Sequence, residues 1–358
     1  MARVHDLLRH TKQQSGSDLH LATGMEPRIR RHGALEPVSG SSALSDAELT
    51  SLLREIVTQA QWDEYQATGD LDFALGLPGV ARFRANYLRQ ENGPSAVFRT
   101  IPEKILSVEQ LGLPPAVAKL SELRSGLVLV TGPTGSGKST TLAAIVDRIN
   151  RASARHIVTI EEPVEFLHAP IRSVFSQREV GTDTDSFAAA LRAAIREDAD
   201  VVLVGEMRDL ETIALALRAA EMGMLVFGTL HTNSAAKTID RLIDVFPAEE
   251  QAQVRISLSE SLAAIVAQLL LPRADGSGRV AAIELLLRTS GLAGIVREGN
   301  LPMLTTLMQG GRALGMQRMD DALAALVEAG VVTPREAYLK ALDKSRFAPL
   351  IDAVESAG

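Results

Sequence analysis

Residues 132–140 of the chain read Gly132-Pro133-Thr134-Gly135-Ser136-Gly137-Lys138-Ser139-Thr140. The stretch fits the pattern G-x-x-x-x-G-K-[S/T] at every defined position, and it lies between an apolar run and a helical pattern. Glycines let such a loop wind tightly, so that its backbone N–H groups and the following helix N-terminus point at phosphate oxygens. Lys138 is predicted to reach the β- and γ-phosphates of ATP, and Ser139 to bind Mg²⁺.

The sequence around this loop predicts a largely parallel sheet. Four short apolar runs have the character of strands that are covered on both faces: 127–130, 157–160, 201–204 and 225–227. Helical patterns lie between these runs, at 140–150, 186–196 and 210–222. Strand–helix alternation of this kind indicates an α/β fold with right-handed crossovers.

The pattern differs on either side of this core. Residues 1–100 mix short strand and helix patterns, which predicts a small α+β domain, and a proline-bearing linker follows at 101–115. The ATPase domain then comprises 116–358. From about residue 257 strand runs give way to helical patterns, so we expect a C-terminal helical bundle that includes the apolar run around Gln268.

Acidic residues follow two of the predicted strands. Glu206 follows the run 201–204 after Gly205. A carboxylate at this place points into the crevice at the carboxyl ends of parallel strands. We interpret Glu206 as the general base that polarises water for attack on the γ-phosphate, the alternative being an ordinary strand-terminal carboxylate. Glu161, Glu162 and Glu165 follow another strand and repel one another unless a cation or bound water relieves them, the alternative being a solvated acidic loop.

His231 follows the last core strand within Gly228-Thr229-Leu230-His231-Thr232. At a strand end beside the predicted phosphate site, it is a candidate sensor of the γ-phosphate through a hydrogen bond. A purely structural histidine is the alternative.

Composition limits the class of protein. The 358 residues exceed what one core usually holds, and 46% hydrophobic with 23% charged residues is typical of a globular protein. A net charge of −7 argues against a protein that tracks along nucleic acid. The absence of cysteine excludes disulfides and thiolate metal sites. There is neither an apolar signal core nor a run of roughly 20 apolar residues, so we expect a cytoplasmic protein that is not inserted in the membrane.

The motifs together resemble those of the secretion-superfamily ATPases, and within them the PilT family of pilus retraction motors. The resemblance rests on the order and spacing of four segments: 132–140, 159–165, 205–209 and 231–235. It extends over nearly the whole chain through further matching segments: 16–21, 79–84, 97–102 and 245–250.

The resemblance implies a RecA-like P-loop core, a PAS-like N-terminal domain, and a homohexameric ring with ATP bound between the two domains. It assigns catalytic roles to Glu206, Glu165 and His231, and it matches Arg84 and Arg99 to arginines that close over the phosphates, with Arg82 a weaker candidate. It also implies partners: an inner-membrane platform protein, indirectly pilin, and a retraction-ATPase paralogue. The motor would lie at the inner-membrane base of the pilus machine.

Two segments depart from the family pattern. Glu162 stands where the family usually has Asp, and Ala293 and Gly294 replace the usual Arg and Asn of a helix motif required for retraction. The second departure leaves an accessory retraction-ATPase paralogue as an alternative.

Three other functions are compatible with a P-loop and are weighed against the sequence. An extension or secretion ATPase of the same superfamily typically has a four-cysteine metal module and a longer N-terminal extension, and this sequence has neither. A RecA-like DNA translocase is disfavoured by the acidic net charge. A regulatory module that binds but never hydrolyses ATP predicts that Glu206→Gln changes nothing.

Overall fold

The computed structural model of the chain describes residues 3–31, 33–102 and 104–351. The chain forms two compact units. The first comprises the described residues up to Lys104 together with Pro163–Leu167, and the second comprises Ile105–Glu162 and the described residues from His168 onward. Glu165 therefore belongs to the first unit, whereas Glu161 and Glu162 belong to the second.

The first unit is a six-stranded antiparallel sheet with helices. Its helices are α1 (Arg3–Gln13), α2 (Asp46–Arg54) and α3 (Gln59–Thr68). Its strands are β1 (Asp18–Ala22), β2 (Arg28–Arg31), β3 (Ala34–Pro37), β4 (Asp70–Leu77), β5 (Ala81–Gln90) and β6 (Gly93–Ile101). The strand order is β3-β2-β1-β6-β5-β4. Alternation along the strands places large apolar side chains, including Phe83, Tyr87 and Phe98, in its core.

The second unit contains the remaining elements. Its strands are β7 (Gly126–Thr131), β8 (His156–Glu161), β9 (Val174–Glu179), β10 (Val201–Val204), β11 (Leu225–Leu230), β12 (Leu262–Pro272) and β13 (Arg279–Leu287). Its helices are α4 (Pro115–Ala118), α5 (Lys138–Ala152), α6 (Phe187–Ala194), α7 (Leu210–Glu221), α8 (Ala235–Asp244), α9 (Gln251–Ser261), α10 (Ser290–Glu298), α11 (Leu304–Gly310), α12 (Met319–Glu328) and α13 (Pro334–Lys340).

The seven strands of the second unit form one sheet in the order β13-β12-β7-β11-β10-β8-β9. Neighbouring strands are parallel except for the antiparallel pair β12 and β13. All residues of β7, β10 and β11 are buried, because apolar side chains cover the sheet on both faces. The predicted α/β fold, with a smaller α+β part and a C-terminal helical region, is confirmed.

The predicted start of the C-terminal helical bundle, at about residue 257, is wrong. Helix α9 ends at Ser261, and two long strands follow before the helical region begins at Ser290. The apolar run of β12 is buried along almost its whole length. A run buried on all sides has no periodicity that distinguishes a strand from a buried helix, and its alanines and leucines favour a helix locally.

The carboxyl ends of the parallel strands bring the predicted site residues of the second unit to one edge of the sheet. The loop 132–137 follows β7, Glu206 lies two residues beyond β10, and His231 directly follows β11. Within the part of the chain that the structure describes, no helix is both long and apolar enough to cross a bilayer.

Candidate active site

The loop between β7 and α5 has a backbone that glycine makes possible. Gly132, Gly135 and Gly137 have φ angles of 148°, 76° and 88°, in the region that side-chain-bearing residues rarely adopt. Gly137 then serves as the N-cap of α5, which begins at Lys138. The loop therefore turns tightly into a helix N-terminus, the arrangement that the sequence predicts for phosphate binding.

Polar side chains of the loop are arranged around this turn. The Lys138 Nζ donates to the carbonyl oxygens of Gly132 and Pro133 at 2.9 and 3.2 Å, so the ammonium group lies back over the loop. Ser136 is 2% exposed, and its hydroxyl has no hydrogen-bond partner among the residues that the structure describes. Pro133, Thr134 and Gly135 are exposed, and Ser139 and Thr140 half-buried, at the first turn of α5. The loop thus offers an ammonium, hydroxyls and exposed backbone to an anion.

The residues present fit Mg²⁺ in the way that P-loops hold it. The described residues contain no group of three or more His, Asp or Glu side chains placed to bind a metal. Mg²⁺ keeps several waters and usually binds through one or two protein oxygens together with substrate phosphates. The Ser139 hydroxyl, one residue after Lys138, suits such a shared site.

Glu206 is held by two side chains. The Arg208 Nη2 donates to Glu206 Oε2 at 2.6 Å, and the His231 Nε2 lies 2.8 Å from Glu206 Oε1. Burial by itself raises the pKa of Glu206, but the hydrogen bonds and charge of Arg208, together with His231, hold that pKa below its usual value. The carboxylate is therefore ionised at neutral pH and able to accept a proton.

The acidic residues Glu161, Glu162 and Glu165, at the end of β8 and just after it, are divided between the two units. The Thr159 hydroxyl donates to Glu161 Oε1 at 2.9 Å, whereas Glu162 is exposed at the end of the second unit's segment. Glu165 is half-buried in the first unit. The structure thus brings Glu206 and His231 together but places Glu165 in the other unit.

Arg84 and Arg99 are direct cross-strand neighbours on β5 and β6. The Arg84 Nε donates to Asp72 Oδ1 at 3.2 Å, and the Arg99 Nε donates to Asp18 Oδ1 at 2.8 Å. These two carboxylates compensate the repulsion between like charges that face each other on a sheet. Burial raises the pKa of Asp18, but Arg99 and the Ser17 hydroxyl outweigh it and hold that pKa below its usual value.

Arg82, the weaker candidate, donates from Nη1 to the carbonyl oxygen of Val164 at 2.9 Å. This bond ties strand β5 to the Pro163–Leu167 segment within the first unit. A structural contact therefore occupies one of its guanidinium nitrogens.

Three threonine hydroxyl groups that the sequence does not single out lie in a row beside the site. The Thr238 Oγ1 lies 2.7 Å from Thr232 Oγ1 and 3.4 Å from Thr131 Oγ1. Thr131 is the last residue of β7, and Thr232 follows His231. These hydroxyl contacts therefore connect the start of the loop 132–137 to the segment that contains His231. No spacing in the sequence indicates them, because Thr131 and Thr238 meet only through the fold.

Two buried polar residues on β12 and β13 were also missed. Gln268 bonds to the loop, and Glu284 accepts from the backbone N–H groups of Ala235 and Met319 at 2.7 and 3.2 Å. Burial raises the pKa of Glu284. The available signal was an isolated polar residue within each apolar run, since a buried polar group needs a specific partner.

The parallel sheet, the loop after β7 and the carboxylate at the end of β10 define the class of the protein, the P-loop nucleotide-binding proteins. Comparison with known proteins specifies the family. The model of the family described as "Type II/IV secretion system protein" matches residues 2–309. The chain belongs to this family and, within it, to the PilT-type pilus retraction ATPases.

Three relatives establish this placement. The chain is 48% identical over 344 residues to the "Type IV pilus retractation ATPase PilT" of Pseudomonas aeruginosa, with 96% of this chain and 99% of that protein covered. It is 48% identical over 338 residues to the "Twitching motility protein" of Neisseria gonorrhoeae, covering 94% of this chain and 90% of that one. The crystal structure of the pilus retraction motor PilT with bound ADP matches with a TM-score of 0.90 and 42% identity, over 97% and 99% of the two chains.

Proposed function

We propose that the chain is the ATP-hydrolysing subunit of a motor that powers type IV pilus retraction, and hence twitching motility. The observation that carries the proposal is the near-full-length similarity to PilT, combined with a complete phosphate-binding loop and the Glu206–His231 contact. Relatives that match along almost their whole length share both the nucleotide site and the parts that use its energy.

The residues of the second unit support a division of tasks in hydrolysis. The backbone N–H groups of the loop bind the ATP phosphates, and Lys138 turns from the carbonyl oxygens of Gly132 and Pro133 towards the β- and γ-phosphates. The Ser139 hydroxyl, together with the phosphates, would hold Mg²⁺, which would neutralise phosphate charge. Glu206 orients the attacking water and accepts its proton, while the water oxygen bonds to the γ-phosphorus and the bond to ADP breaks.

The contacts of Glu206 suggest how this reaction is controlled. Arg208 and His231 both bind the carboxylate that must face the attacking water, so these contacts have to rearrange during the cycle. We assign to His231 the sensing of the γ-phosphate, since a phosphate oxygen can replace the Glu206 oxygen as its hydrogen-bond partner. Turnover and a change in the histidine segment would then be coupled.

Three further residues belong to the proposed catalytic set. Arg84 and Arg99 stabilise charge on the transferred phosphoryl group after exchanging Asp72 and Asp18 for phosphate oxygens. Glu165 acts as an additional catalytic carboxylate. The support for all three is their match to the family motifs, together with charges that suit the roles: two guanidinium groups for phosphate oxygens and one carboxylate.

The proposed assembly is a homohexamer in the cytoplasm, peripheral at the inner-membrane base of the pilus machine. It would act on an inner-membrane platform protein and, through it, on pilin, with no direct membrane insertion and no nucleic acid. Ala293 and Gly294 favour a second candidate, an accessory paralogue that works beside a main retraction ATPase.

Phosphate release by the purified chain tests the catalytic part of the proposal. Glu206→Gln should lower kcat at least about 100-fold while leaving ATP affinity unchanged, because it removes the base but not the phosphate contacts. Removal of Mg²⁺ with a chelator should abolish turnover of the wild type. Glu211→Gln, a change at an exposed glutamate on α7 that pairs with Arg192, is the matched control and should retain wild-type kcat. Equal turnover by wild type and Glu206→Gln would contradict the assignment.

A further inference from the structure

One polar side chain interrupts the apolar strand β12. Gln268 is 3% exposed, and it follows Ala267, which pairs with Thr131 at the end of β7. Gln268 therefore lies level with the start of the phosphate-binding loop. A buried amide is costly unless both of its ends are hydrogen-bonded.

Both ends of the Gln268 amide are used, and both partners belong to the loop and its helix. The Nε2 donates to the carbonyl oxygen of Ser136 at 2.6 Å, and the Oε1 accepts from the Thr141 hydroxyl at 2.8 Å. Thr141 is 1% exposed in the first turn of α5. The amide thus spans from the centre of the loop to the helix that follows it.

Two loop glycines permit this close approach. A Cβ atom at Gly132 would lie 2.2 Å from the backbone carbonyl oxygen of Gln268. A Cβ atom at Gly137 would lie 2.8 Å from the side-chain Nε2 of Gln268. Side chains at these positions would push the loop away from β12. Gly137 therefore accommodates the Gln268 amide, and Gly132 accommodates the backbone of β12 at the same residue.

The loop needs such an anchor because its own backbone bonds are few. The Gly132 N–H donates to the carbonyl oxygen of Leu230 at 3.3 Å, and the Ser136 N–H donates to that of Pro133 at 3.2 Å. The Lys138 Nζ adds contacts to the carbonyl oxygens of Gly132 and Pro133, but it has to leave them to reach a phosphate. Three glycines at positive φ give the loop many alternative conformations when nothing fixes it. A group that selects the binding conformation in advance reduces the entropy lost when a ligand binds.

We propose that Gln268 is a positioning residue for nucleotide binding: its amide holds Ser136 and Thr141 so that the loop is already shaped for phosphates. The inference rests on the proposed phosphate-binding role of the loop. Gln268 makes its contribution through Ser136 and Thr141 and does not itself touch the nucleotide.

The first test is the Kd for ADP of Gln268→Met, which has a similar volume but no hydrogen-bonding amide. We expect Kd to rise about tenfold, which corresponds to about 1.4 kcal/mol. Gln317→Met is the matched control, because the half-buried Gln317 also donates from Nε2 to a backbone carbonyl, that of Ile283 at 2.8 Å, but outside the loop. A lower Tm in both variants with unchanged Kd for ADP would overturn the inference.

The second test uses pH. In Gln268→Glu a carboxylate faces the carbonyl oxygen of Ser136 at neutral pH and repels it, whereas the protonated acid donates to it. Burial raises the pKa of such a carboxyl, so the protonated form gains population as pH falls from about 8 to about 6. The ratio of variant to wild-type Kd for ADP should fall over this range, and a constant ratio would overturn the inference. Failure of the wild-type chain to bind ADP would instead overturn the proposed function.

Discussion

At the scale of single residues, the proposed general base Glu206 is an ionised carboxylate held by two neighbouring side chains. Its oxygens are bound by Arg208 and His231, which keep it ionised and hold it in place. The sequence predicted Glu206 because an acid at a strand end is a local pattern. It could not predict the His231 contact or the row of threonine hydroxyls through Thr238, since both depend on how side chains from separate segments meet.

His168 is a buried imidazole with a consequence for acid stability. It is 8% exposed, and its ring stacks on Phe175 with centroids 5.0 Å apart. Within the described part of the chain, its Nδ1 has no hydrogen-bond partner. Burial lowers its pKa to about 4. Below the unfolded-state pKa of about 6.5, the unfolded chain binds a proton that the folded chain excludes.

We therefore predict that His168 makes the second unit less stable as pH falls from about 6.5 to about 4, by about 3 kcal/mol at the lower limit. His168→Phe should remove this part of the pH dependence, and the difference between variant and wild type in urea unfolding at each pH measures it. His10→Phe, at a half-buried position on α1, is the control. Parallel pH profiles for wild type and His168→Phe would contradict the prediction.

At the scale of elements, α10 contains the departure from the family's helix motif. The Thr289 hydroxyl caps the helix by accepting from the Leu292 N–H at 3.2 Å, and Gly299 ends it at a φ of 71°. Leu292 and Val296 are buried and hold the helix against the core. Apart from the helix's own backbone, a Cβ atom at Gly294 would meet no atom of the described residues within 4 Å. The helix is therefore complete without larger side chains at 293 and 294.

This geometry predicts that Gly294→Ala stabilises the chain by about 1 kcal/mol, because alanine has the higher helix propensity and space is available. Gly291→Ala in the same helix should gain less or destabilise, since its Cβ would lie 3.0 Å from Leu307 Cδ1. Thermal melting of both variants checks the prediction. A lower Tm for Gly294→Ala than for wild type would show that position 294 is not open.

Strands were predictable where their surroundings leave a clear pattern. The central runs of β7, β8, β10 and β11 were predicted close to their observed bounds, because short apolar runs between helical patterns indicate buried parallel strands. Edge strand β9 was not predicted, since its polar sequence is half-exposed and has no apolar run. Strands β12 and β13 were not predicted either, because their long apolar runs are equally suited to a buried helix.

At the scale of the whole molecule, the fold and the assembly were predicted on different grounds. The two units each have their own apolar core, and the alternation of elements in the second was sufficient to predict its class. The ring, the platform protein and pilin came only from the resemblance, because partner surfaces leave no periodic signal in one sequence. The similarity to PilT over 96% of the chain makes those proposals worth testing in cells.

The most direct test is pilus retraction in cells that lack this gene, complemented with wild type, Glu206→Gln, or Ala293→Arg with Gly294→Asn. We predict that the null strain is hyperpiliated and does not retract its pili. Wild type and the double helix variant should restore retraction, because the open position 294 accepts the larger side chain, and Glu206→Gln should not. Normal retraction in the null strain would contradict the motor assignment and favour the accessory paralogue.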